Sequence, residues 1–304
     1  MRNYLILLIS FLISCKANNN TFSKSNSSPT TANSSEYKLI KAENQNGLLI
    51  LFPCYPCDFS NTLAEFNIVD VCIQNGISIL AMNFNQHLYL TFEEKQNLAT
   101  NLEMIIHQYN LAQQNIIIGG FSSGGNVSLL LSNYLIENNS KVQPKGVFVV
   151  DSPIDLLGLY KVAEKNIKLN FSEVSVQEAT WIINFLKDEF GNPDEGLENF
   201  EKASPYTLET QNISNLIGLK NVKLRIYTEP DVQWWYENRR NDYEDLNAYF
   251  LENLYKKLSI EFGKQNLEFI KTTQKGFRSN GERHPHSWSI VNSAELVEWI
   301  LNMK

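Results

Sequence analysis

Five residues of the chain, Gly120-Phe121-Ser122-Ser123-Gly124, fit the pattern G-x-S-x-G. A serine between two glycines can be a nucleophile if a tight turn lifts its hydroxyl clear of the backbone and a base takes its proton. The base must be a histidine, and there are four: His87, His107, His284 and His286. His107 falls inside an apolar-periodic stretch and reads as structural. His87 follows an apolar run ahead of the serine and is expected to line a pocket. His284-Pro285-His286-Ser287-Trp288 lies far downstream, where the last member of a serine–acid–histidine order belongs, so His284 and His286 are the candidates. A carboxylate must then orient the ring. Glu229 and Asp231 follow one apolar run, and Asp151 follows the one before it; each also suits a turn or a helix cap.

These residues are useful only on a frame that gathers them. Short apolar runs at Leu48–Phe52, Ile77–Phe84, Ile116–Ile118, Gly146–Val150, Lys223–Tyr227 and Leu267–Thr272 read as buried strands. Between them, Glu93–Tyr109 and Val127–Ile136 repeat at helical spacing, and Ala294–Met303 closes with an amphipathic helix. Alternation of this kind implies one α/β domain with a mainly parallel sheet covered on both faces. Asn46-Gly47, between Tyr37–Ile40 and Leu48–Phe52, reads as a hairpin turn. The serine motif follows the run Ile116–Ile118 directly and opens a helix, the strand–turn–helix setting its chemistry needs. A side chain at Gly120 or Gly124 is expected to collide with neighbouring backbone. No strand is legible in 155–219, which reads as a helical insertion over the strand C-terminal ends, where ligands bind in such sheets.

On these residues the chain resembles the α/β-hydrolase-fold serine esterases. The His-Ser-Trp run resembles the histidine loop of esterase-D-like hydrolases and favours His286 over His284. Laying Leu224–Asp231 over the family's strand-then-loop pattern puts Asp231 in the acid position, ahead of Glu229 and Asp151. The resemblance implies a three-layer α/β-hydrolase fold and acyl transfer from a small-molecule ester, with neither metal nor organic cofactor. Ser122 would be the nucleophile, with oxyanion donors from the backbone of Ser123 and of Cys54 or Tyr55. Peptidases and acyltransferases share the same triad. The stretch from Asp231 to His286 is longer than the family usually has and adds helical segments around Trp234-Trp235-Tyr236 and Asn247–Leu258.

The loop Pro53-Cys54-Tyr55-Pro56-Cys57 supports a competing reading. Strand, C-x-x-C and helix in succession resemble the thioredoxin arrangement, which makes Cys54 and Cys57 candidates for thiol exchange or a small disulfide. Against it, proline precedes Cys54 and Asp58 follows Cys57. A ligand-binding protein on the hydrolase fold without turnover is the remaining alternative.

Residues 1–14 combine a basic start with an apolar run too short to span a bilayer, as a signal peptide does. The run ends in Leu12-Ile13-Ser14-Cys15, which resembles the lipobox of bacterial lipoproteins and makes Cys15 the expected site of lipidation. A Ser/Thr/Asn-rich tether over 15–35 and a folded domain over 36–304 would follow. The product would be held on the cell envelope outside the cytoplasm, periplasmic or surface-facing. The 304 residues are 43% hydrophobic, enough to fill a core, and carry a net charge of −7. An acidic chain with no basic cluster argues against nucleic acid as a partner. Four cysteines are too few for a disulfide scaffold.

Overall fold

A computed structural model describes residues 30–84 and 86–303. The expected signal peptide and Cys15 lie outside the described residues. Among the described residues, eight strands form one sheet: β1 (Thr30–Asn33), β2 (Tyr37–Lys41), β3 (Gly47–Phe52), β4 (Ile77–Met82), β5 (Ile116–Phe121), β6 (Pro144–Val150), β7 (Lys223–Thr228) and β8 (Leu267–Lys271). Their order across the sheet is β1-β2-β4-β3-β5-β6-β7-β8. From β4 to β8 neighbouring strands are parallel, whereas β1 and β2 run antiparallel at one edge.

The α-helices among the described residues are α1 (Phe59–Glu65), α2 (Val69–Gln74), α3 (Phe92–Gln108), α4 (Ser123–Glu137), α5 (Leu156–Leu169), α6 (Glu173–Phe190), α7 (Glu198–Ala203), α8 (Val232–Arg239), α9 (Asn247–Glu261) and α10 (Ser293–Leu301). Alternation along the strands distributes them over two faces. Leu49 and Leu51 of β3 pack with Cys72 of α2 and Leu296 and Ile300 of α10. Leu48, Ile50 and Phe52 of the same strand pack against Leu98 and Leu102 of α3 and Leu130 and Leu131 of α4. Farther along, Leu251, Leu254 and Leu258 of α9 cover Val147, Val149, Leu224 and Ile226. A strand buried on both faces carries apolar residues at every position, which is why the central runs are continuous.

The hairpin expected at Asn46-Gly47 does not form. Strand β2 pairs with β4, and β3 lies between β4 and β5. All six residues of β3 are buried, so it must sit inside the sheet; an adjacent hairpin partner is not required for that. Asn46 instead closes onto the turn before β4: its backbone N–H donates to the Gly76 carbonyl at 2.6 Å and its amide to the Asn75 carbonyl at 3.0 Å.

Candidate active site

Strand β5 ends at Phe121, and α4 begins two residues later. Ser122, the single linking residue, has φ 54° and ψ −127°, a backbone state that side chains rarely adopt. A Cβ on Gly120 would stand 2.2 Å from the carbonyl of Gly124, and one on Gly124 would stand 2.4 Å from the carbonyl oxygen of Phe52. The two glycines therefore let the turn close on itself and let β3 pass against it. Ser122 donates its N–H to the Val150 carbonyl at 2.9 Å, which locks the turn to β6.

The register then decides which carboxylate comes close. Phe121 pairs with Val150, and Val150 with Tyr227, so the next residues along the three strands are Ser122, Asp151 and Thr228. Asp151 has φ 46° and is buried. Its Oδ2 lies 2.6 Å from Nδ1 of His286, and its Oδ1 accepts the Thr228 hydroxyl at 2.7 Å. An ionised carboxylate can only accept, so His286 carries its proton on Nδ1 and leaves Nε2 free as a base. Asn247 at the head of α9 donates to the Asp151 carbonyl at 2.8 Å. The imidazole of His286 packs on the Phe121 ring at 4.4 Å, and Trp288 stacks on Phe66 behind it.

Asp231, expected to orient the imidazole, does not meet His286. It lies three residues past the end of β7 and caps α8, its Oδ1 accepting from the Trp234 N–H at 3.1 Å. Its other oxygen pairs with Arg283 at 2.5 Å. Glu229 does not meet His286 either. Nearly inaccessible at 2% exposure, it accepts from Thr272 Oγ1 (2.8 Å), Lys275 N (2.8 Å) and Gly276 N (3.1 Å), and it pairs with Arg283 at 2.7 Å. Glu229 and Asp231 thus fasten the segment that carries His286. Asp151, the third choice from sequence, is the carboxylate on the ring because it ends the strand beside the serine strand.

His284 stands next to the site with a different role. Its Nδ1 donates to the His286 carbonyl at 3.0 Å, and the ring lies 4.8 Å from Trp234. Burial, then the nearby Arg278 and His286, lower its pKa to about 4, so it is neutral near pH 7. His87, expected in the pocket, stacks on Phe84 at 3.9 Å and faces Glu94 at 3.2 Å instead. His107 lies on α3, away from the serine.

Ser122 and His286 open onto one cavity of about 500 Å³. Helices α5 and α6, within 155–219, supply one wall of this cavity through Leu159, Val162, Ala179 and Trp181. Helix α8 contributes Trp235 and Arg239, while α9 packs on the core. Tyr55 and Pro56 line the cavity, and the Tyr55 ring touches Trp181 at 4.9 Å. Cys54 is buried beneath them and bonded to Cys57, with Cα atoms 5.0 Å apart. Ser123 is the first residue of α4, where backbone N–H groups have no partner within the helix and the helix dipole is positive. Ser123 and the Cys54–Tyr55 loop therefore flank Ser122. No group of three or more His, Cys, Asp or Glu side chains suited to a metal occurs among the described residues.

Sequence reasoning missed Asn126 and Thr228. The buried Asn126 amide donates to the carbonyls of Leu88 and Pro153, both at 2.9 Å, and so ties two loops at the cavity to α4. An Asn in the first turn of the helix behind the serine, facing inward, was the available signal. For Thr228 the signal was its place at the end of β7, level with Asp151.

No family model matches the chain, and no curated protein does. Solved structures do. MPT51 of Mycobacterium tuberculosis superposes with a TM-score of 0.55 at 13% identity, covering 93% of this chain and 100% of its own. Fluorophosphonate-binding serine hydrolase F of Staphylococcus aureus gives 0.54 at 12%, covering 88% and 92%. Carboxyl esterase 2 of the fungus Tuber melanosporum gives 0.54 at 14%, covering 92% and 86%. At such identities the likeness concerns the fold, and the fold is the α/β-hydrolase fold. It is not the thioredoxin arrangement considered for Cys54 and Cys57.

Proposed function

We propose that the chain is a serine hydrolase that cleaves a carboxylic ester through an acyl-enzyme. The observation that carries this reading is the His286–Asp151 pair at 2.6 Å, set beside a serine held at positive φ above the sheet. Ser122 Oγ attacks the ester carbonyl while His286 Nε2 takes its proton; the C–O bond to the alcohol then breaks, and the imidazolium returns the proton to the departing oxygen. Water, deprotonated by the same imidazole, attacks the acyl-serine and releases the acid. Asp151 fixes the tautomer and offsets the charge on the imidazolium. The N–H of Ser123 and an N–H from the Cys54–Tyr55 loop serve the oxyanion. None of these steps calls on a metal or cofactor.

An activated fluorophosphonate tests this. Covalent labelling of the wild type that disappears in Ser122→Ala supports the nucleophile; an unlabelled wild type sinks the hydrolase reading and leaves ligand binding without turnover. Ester and peptide panels then separate esterase from peptidase. A strict peptide preference refutes the esterase assignment, and transfer of the acyl group to an added alcohol in preference to water points to an acyltransferase.

We further propose that Cys15 is lipidated after removal of 1–14, which would hold the enzyme on the cell envelope. Metabolic labelling with a fatty-acid analogue checks this, and label retained in Cys15→Ser would refute it. Among the described residues no helix is long and apolar enough to cross a membrane.

A further inference from the structure

Charged side chains around the cavity are matched, with one exception. The Arg239 guanidinium pairs with Glu178 at 2.8 Å, and Asp245 pairs with Lys165 at 2.6 Å. Asp151 faces His286, and the Asn241 amide donates to Asn166 at 2.9 Å. Arg278 also lines the cavity, half-buried, and its guanidinium has no counter-charge, hydrogen-bond acceptor or aromatic face among the described residues.

The base of this side chain is fixed. Arg278 N–H donates to the Glu282 carbonyl at 2.8 Å, and the Gly281 N–H donates back to the Arg278 carbonyl at 2.9 Å, closing a short turn. The next residue, Ser279, gives both its N–H (2.9 Å) and its hydroxyl (2.6 Å) to the carboxylate of Glu65. A guanidinium carried on a rigid turn, within a cavity that partly excludes water, offers its planar fork to a two-oxygen acceptor. On a chain with net charge −7, its field is a local exception. The lowered proton affinity of His284, to which Arg278 contributes, agrees with an uncompensated cation at this end of the cavity.

We infer that Arg278 is the recognition element for an anionic group on the substrate, so that the preferred ester carries a carboxylate or a phosphate besides the bond that is cleaved. The inference rests on the hydrolase reading above. A guanidinium–oxyanion contact made on binding would favour such esters over neutral ones of the same size, and salt would weaken the preference.

The test compares kcat/KM for matched pairs of esters. Mono-4-nitrophenyl glutarate against 4-nitrophenyl pentanoate places the charge on the acyl side. The butyrate esters of glycolate and of 2-hydroxyethyl phosphate, against ethyl butyrate, place a carboxylate or a phosphate on the alcohol side. At least one anionic ester should exceed its neutral partner by about tenfold, about 1.4 kcal/mol. Arg278→Gln should abolish that ratio and Arg278→Glu should invert it. Equal rates within every pair, or a ratio retained in Arg278→Gln, overturn the inference. If no ester is cleaved and Ser122 takes no fluorophosphonate, the hydrolase reading fails and the inference falls with it; labelled Ser122 with equal ratios fails the inference alone.

Discussion

Asp151 and His286 are 135 positions apart in the chain, yet their side chains meet at 2.6 Å because one ends a strand and the other is tied down over that strand's end. Asp151→Asn should therefore lower kcat for a neutral ester by about 10³–10⁴-fold, since an amide offers the ring no charge and permits the wrong tautomer. Asp231→Asn should cost less than about tenfold. Steady-state kinetics of the two variants decide between the carboxylates; equal losses would return Asp231 to the site.

Backbone strain at Ser122 predicts a gain in stability on its removal. Ser122 sits at φ 54°, where glycine is at ease and serine is not. Ser122→Gly should abolish fluorophosphonate labelling while raising the unfolding free energy by about 1 kcal/mol, the relief of strain exceeding the added chain entropy of glycine. Urea denaturation measures it, and a loss of stability would contradict the strained turn.

His284 links stability to pH. Its pKa falls from 6.5 to about 4 on folding, so between those values the unfolded chain binds a proton that the native chain does not. Stability due to this group is complete above pH 6.5 and is lost as pH falls toward 4. The full shift is discounted for the ring's partial exposure, leaving about 1–2 kcal/mol. His284→Asn, which keeps an N–H for the His286 carbonyl, should flatten the profile in that window when unfolding is compared at pH 7 and pH 4.

Glu229 is expected to matter through the loop it holds. Glu229→Ala leaves Arg283 with Asp231 and the Gly276 carbonyl, and strips acceptors from Thr272, Lys275 and Gly276. The cost should be about 3 kcal/mol, read as a lowered urea midpoint. The same variant should lose activity, because the segment that carries His286 loses its anchor; full activity with unchanged stability would refute both points.

The turn at Ser122 was legible in the sequence because its evidence is local: a strand, a turn and a helix in succession over 116–137. The placement of His286 at the same cavity was legible from its position after the final strand. The acid was not. Asp151, Glu229 and Asp231 all follow apolar strands, and only the side-by-side placement of β5 and β6 brings Asp151 level with Ser122. The sheet itself could be read from its continuous apolar runs, whereas the pairing of β2 with β4 could not. The Asn46-Gly47 signal describes a turn, and burial of β3 between β4 and β5 overrides the local preference. The cavity walls in 155–219 were anticipated as helices, yet which of their residues face the serine depends on packing that periodicity alone does not specify.

The two anchors of the site also differ in kind. Ser122 and Asp151 are built into the sheet, so they stay in register as long as β5 and β6 remain paired. His286 is lashed to them from outside, by the grip of Glu229 and Asp231 on Arg283. Mild denaturant should therefore disarm the molecule before it unfolds, because a segment can open locally while the sheet remains intact. The measure is the gap between two urea curves, one for turnover and one for far-UV circular dichroism; coincident midpoints would show that the lashing is as strong as the sheet.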